Sequence, residues 1–97
     1  MEGNMSDLSQ TSSEEQIKKQ EEFFKKAQKG TLKYLLDKGG SLKMGELHEY
    51  SLNKYLVQHQ RFSQMMEIFV DGGLVHFDWE TQVVSLTDTG KEFIQSA

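Results

Sequence analysis

The chain has 97 residues, 36% of them hydrophobic and 10% aromatic, with no cysteine, so one small core is possible while disulfides, zinc ribbons and thiol catalysis are excluded. No apolar run approaches the roughly 20 residues of a membrane span, and no basic-then-apolar segment opens the chain as a secretory signal would. The formal net charge is −4, and the expectation is a soluble, cytoplasmic protein.

Residues 1–12 are polar and carry isolated apolar residues without a period, which reads as a disordered tail. The remainder, 13–97, reads as a single domain. Ser13 with Gln16 three positions on forms a capping-box start for a helix. Four Glu-to-Lys pairs then follow at i,i+4 (Glu14–Lys18, Glu15–Lys19, Glu21–Lys25, Glu22–Lys26), each worth about 0.2–0.5 kcal/mol. Ile17, Phe24, Thr31 and Leu35 lie along one stripe, flanked by Phe23, Ala27 and Tyr34. An extended first helix over 13–38 is therefore predicted. Gly30 falls on its polar side and either bends the helix or splits it. The extra N-terminal length is either a solvated helix end or a dimerisation arm built on Ile17, Phe23, Phe24 and Ala27.

Gly39-Gly40 end this helix, and Ser41-Leu42 form a short strand. Leu47 and Tyr50 share a face with Lys43 and Met44, which predicts a second helix over 43–51. The turn Ser51–Val57 leads to a third helix. It starts either after that turn or earlier, with Asn53 as its cap, and both starts stay open.

Phe62, Met65, Met66, Phe69 and Val70 recur at i, i+3, i+4, i+7 and i+8, so the third helix buries one face before Gly72-Gly73 stop it. Beyond the glycines the period changes to two. Leu74–Phe77 and Gln82–Leu86 are β-branched and aromatic runs around the polar turn Asp78–Thr81, which is a hairpin pattern. Thr87 then offers an N-cap hydroxyl to a last helix through Lys91, Phe93 and Ile94.

Helix, Gly73-Leu74-Val75, hairpin and then Leu86-Thr87-Asp88-Thr89-Gly90-Lys91-Glu92-Phe93 resembles the second half of a winged helix-turn-helix domain. It is similar to small transcriptional regulators of the multiple-antibiotic-resistance type, over roughly 32–94. The fold class the resemblance implies is α+β: a winged helix-turn-helix with an extended N-terminal helix and a two-strand wing. It implies a DNA-binding regulator whose third helix enters the major groove of double-stranded DNA. Gln60, Arg61, Ser63 and Gln64 would be its readers, and the chain would act as a homodimer.

Charge points to a rival reading. Residues 41–97 hold four Lys or Arg against eight Asp or Glu, whereas phosphate contacts need cations. The hairpin tip brings Asp78 and Glu80. The alternative is therefore an acidic interaction module holding a protein partner through Ile68 and Trp79 or through Ile17, Phe23 and Phe24. Trp79 is either folded onto the hairpin or exposed as an anchor. His48, His59 and His76 have no metal-ligand spacing, and no nucleophile elbow or phosphate loop is present. Neither a metal, a cofactor nor an enzymatic activity is expected.

Overall fold

A computed structural model describes the backbone of residues 2–96 and the side chains of residues 15–96. The architecture is α+β, four helices with a small antiparallel sheet. In chain order these are α1 (Glu2–Asp37), β1 (Ser41–Lys43), α2 (Met44–Tyr55), α3 (His59–Asp71), β2 (Val75–Asp78), β3 (Val83–Leu86) and α4 (Asp88–Gln95).

α1 begins at Glu2, so the polar stretch 2–12, read above as a tail, continues the same rod. Lengthening a nucleated helix requires only propagation. The helix also runs unbroken through Gly30. That glycine does not face solvent: a Cβ there would overlap the Tyr55 hydroxyl, so its missing side chain is the space Tyr55 fills. α1 stops as expected, with Gly40 N–H returning to the Leu35 carbonyl at 2.8 Å.

α2 runs four residues past the expected end at Ser51. Ser51 is fully buried and its hydroxyl donates to the His48 carbonyl at 2.9 Å, so it is satisfied inside a helix and does not break it. Leu56 ends the helix in the left-handed region (φ 57°, ψ 33°), and the Leu56 and Val57 N–H groups fold back to the Leu52 and Ser51 carbonyls. Asn53 thus belongs to α2, and α3 takes the later of its two open starts.

The amphipathic stripe of α3 builds the core. Phe62, Met65, Met66 and Phe69 are buried against Ala27, Leu32, Leu35, Leu47, Val75 and Val84. Val70, the last member of that stripe, departs from it at 46% exposed. Thr31, on the α1 stripe, is fully buried with its hydroxyl unpartnered. α3 closes with Gly73 at φ 69° and Leu74 N–H on the Phe69 carbonyl at 2.8 Å. A residue with a Cβ would be strained there, which is why the chain turns on this glycine.

β2 and β3 pair antiparallel from Val75↔Leu86 to Asp78↔Val83, and β1 adds to the other edge of β3, giving the order β1-β3-β2. The hairpin is thus completed into three strands. Thr87 caps α4 as expected: its hydroxyl accepts from Gly90 N–H at 3.0 Å and donates toward the Gly73 and Leu74 carbonyls, 2.6 and 2.9 Å away. A Cβ on Gly90 would run into the Leu74 carbonyl, so this glycine lets α4 approach the start of β2. Among the described residues no helix is long and apolar enough to cross a membrane.

Candidate functional site

α3 presents three strips to its surroundings. Gln60, Gln64 and Ile68 lie one turn apart and face outward, Ile68 being 43% exposed. On the side toward α1, the Arg61 guanidinium sits over the Phe24 ring, 4.0 Å from its centroid, and Nη1 donates to Gln64 Oε1 at 2.8 Å. Arg61 and Gln64 therefore hold each other, and the one arginine of the chain rests on an aromatic of α1. Ser63 donates its hydroxyl to the His59 carbonyl at 3.2 Å, and Gln60 is exposed to solvent.

The third strip faces the hairpin and forms a cleft of about 410 Å³. Its floor is Phe62 and Met66, with Met44 and His48 from the start of α2 at one end. His48 stacks on Phe62 with centroids 4.6 Å apart, lies 5.6 Å from the His59 ring, and keeps a solvent-shielded Nε2 without a partner. The hairpin wall is Phe77 and Trp79, edge to face at 4.8 Å. Trp79 is 80% exposed, so contact with Phe77 fixes one edge of the ring and leaves the rest open to solvent. Val70 faces the same cleft from α3, and Glu67 and Asp71 add carboxylates to its lining.

The hairpin tip that carries Trp79 is a formed turn. Asp78 accepts from the Glu80 and Thr81 backbone N–H groups at 2.9 and 3.4 Å. These bonds hold its carboxyl below the ordinary aspartate pKa. Gln82 takes a left-handed conformation (φ 62°), with its N–H on the Asp78 carbonyl and its Nε2 donating to the Trp79 carbonyl at 2.9 Å. Elsewhere, Tyr34 and Tyr50 stack at 3.8 Å between α1 and α2. The Tyr50 phenol is pushed above its ordinary pKa, chiefly by burial and then by Tyr55.

The sequence-predicted contact residues divide between these surfaces. Ser63 and Trp79 meet in the cleft, whereas Ile68 lies outside it. Phe24 and Ala27 are committed to the domain: Ala27 is fully buried and Phe24 packs beneath Arg61. Ile17 and Phe23 stay 55% and 50% exposed. Sequence reasoning missed His48, Met66 and Val70 as cleft residues, and Leu56 as an exposed apolar side chain. The only available signal was indirect, in that Val70 ends the apolar stripe. Among the described residues no group of three or more His, Asp or Glu is placed to hold a metal ion. Comparisons with protein-family models, curated proteins and solved structures find no match to this chain.

Proposed function

We propose that the chain is a winged-helix interaction module whose cleft between α3 and the hairpin takes a basic, amphipathic segment of a partner protein. The observation that carries this is the nearly free indole of Trp79 standing over an apolar cleft lined with Glu67 and Asp71. Tryptophan is the side chain most enriched among residues that dominate binding, and it acts by filling or closing a desolvated pocket. Glu67 and Asp71 give the α3 side of the cleft its carboxylates, and Asp78 and Glu80 add negative charge at the hairpin tip beside Trp79, so the field there favours lysine or arginine on the incoming segment.

A second reading keeps the order of elements as its support. α2, a short turn, α3 and a hairpin is the arrangement of a DNA-binding winged helix, and Gln60 and Gln64 are solvent-exposed on the N-terminal half of α3, Gln64 with its Oε1 held by Arg61. In that reading a transcriptional regulator reads double-stranded DNA with Gln60, Arg61, Ser63 and Gln64. It requires Arg61 to leave Phe24 and the acidic hairpin to approach phosphate.

Trp79 is the sole tryptophan, so its emission reports on the cleft. The full chain is titrated with a short helical peptide of leucine and lysine, with the same peptide carrying glutamate for lysine, and with a random-sequence duplex at low salt. The lysine peptide should shift Trp79 emission to the blue and lose affinity as salt rises, with no response to the glutamate peptide. Duplex binding that disappears in Arg61→Ala, with no response to the lysine peptide, would replace this reading by the regulator.

A further inference from the structure

All three tyrosines of the chain meet in one place, Tyr34 from α1 and Tyr50 and Tyr55 from α2, and none of them lines the cleft. The Tyr55 ring is edge-on to Tyr50, with centroids 6.1 Å apart and planes at 73°, and its hydroxyl fills the notch at Gly30. Tyr34 and Tyr50 meet differently. Their planes are 9° from parallel and their centroids 3.8 Å apart, whereas aromatic pairs favour edge-to-face or offset packing with centres about 4.5–7 Å apart. Carbons in contact stand about 3.5 Å apart, which leaves a sideways slip between these two rings of only about 1.5 Å. The ring carbons of one phenol therefore lie against those of the other. Lys38 Nζ, 5.5 Å from the Tyr34 ring centre, adds a cation–π contact that steadies the ring. Both tyrosines are half-buried and line a groove of about 590 Å³ together with Glu46 and Glu49, so the pair can be reached from solvent.

We propose that Tyr34 and Tyr50 form an oxidative cross-linking site, at which a haem peroxidase with hydrogen peroxide joins α1 to α2 through dityrosine. Each phenol gives up one electron and one proton and becomes a phenoxyl radical, whose unpaired spin is shared with the carbons ortho to the oxygen. Two such radicals, ring on ring, combine by forming one carbon–carbon bond between ortho positions. The hydrogen on each of those carbons then moves to the oxygen of its own ring, which restores both phenols. The chain loses two hydrogens in all, and one hydrogen peroxide becomes two waters. Glu46 and Glu49, on the groove wall, are bases able to take the departing protons. The chain has no cysteine, so this bond would tie two helices together where no disulfide can. The inference goes beyond the proposed function and stands without it, because neither tyrosine belongs to the cleft.

The test treats the dilute full-length chain with a haem peroxidase and hydrogen peroxide. The product should run as a single chain on a denaturing gel and show the blue emission of dityrosine. Digestion should release two peptides joined through positions 34 and 50, lighter by two hydrogens than their sum. Tyr34→Phe and Tyr50→Phe each keep a stacked ring, so the helical circular dichroism should persist while the emission and the joined peptide are lost. Tyr55→Phe should retain both, because an edge-on ring does not present its face to Tyr50. Links formed only between chains, or through Tyr55, overturn the proposal. So does the absence of dityrosine under conditions that couple free tyrosine.

Discussion

Thr87→Val removes one hydroxyl and keeps the shape of the side chain, and the structure sets what this should cost. The oxygen accepts from Gly90 N–H at 3.0 Å, and Gly90 is buried, so without the hydroxyl that N–H loses its cap and has no route to water. The same hydroxyl donates toward the Gly73 and Leu74 carbonyls, tying the start of α4 to the turn between α3 and β2. Loss of an N-cap costs about 1 kcal/mol, and a buried amide left unpaired adds roughly another 1 kcal/mol. Leu74 keeps the Thr87 backbone N–H at 3.0 Å, so nothing further is added for that carbonyl. About 2 kcal/mol in a domain of this size lowers the melting temperature by roughly 10 °C. Thermal unfolding followed by circular dichroism measures it, with Thr87→Ser as the comparison that keeps the oxygen and loses the methyl. If Ser and Val variants melt together, the hydroxyl is not what holds the two segments, and the reasoning fails.

Gly90→Ala should destabilise by about 1–3 kcal/mol despite alanine's better helix propensity, since the added carbon meets the Leu86 side-chain tip, which can move, and also the backbone carbonyl of Leu74, which cannot; denaturant unfolding reads this directly. Thr31→Val should act oppositely, raising stability by about 1 kcal/mol, because it replaces a fully buried, unpartnered hydroxyl by a methyl of the same shape; a lower denaturation midpoint would show that the hydroxyl has a partner. At the hairpin tip, the Asp78 carboxyl should titrate by NMR below the ordinary aspartate value, and the Glu80 and Thr81 amides should shift with the same midpoint. Because the folded pKa is depressed, the contribution of that cap is present above the unfolded pKa and is lost as pH falls through the folded one.

Local pattern was enough for α3 and the hairpin. The apolar spacing from Phe62 to Phe69, the glycine stop and the change of period to two at Leu74 each depend on residues a few positions apart, so the chain displays them directly. The end of α2 was less visible. Ser51 reads as a helix breaker until its hydroxyl is seen to fold onto His48 within the helix, and nothing about a leucine announces the left-handed residue that stops α2 at position 56. The candidate site was the least legible part, because it is assembled from three separated stretches. Met44 and His48, Met66 and Val70, and Phe77 and Trp79 meet only through the packing of α2, α3 and β2. Likewise Arg61 looks like a free reader in sequence, and it is Phe24, far away on α1, that occupies its guanidinium.

The position of β3 in the sheet sets a timetable for the nascent chain. This strand is bordered on one side by its hairpin neighbour and on the other by β1, where Ser41 meets Ser85 across 44 residues of sequence. No part of the sheet can assemble before Val83–Leu86 has been synthesised, and Ser41–Lys43 must wait unpaired until then. The segments from β1 to β2 have therefore left the ribosome's catalytic centre before the sheet can close.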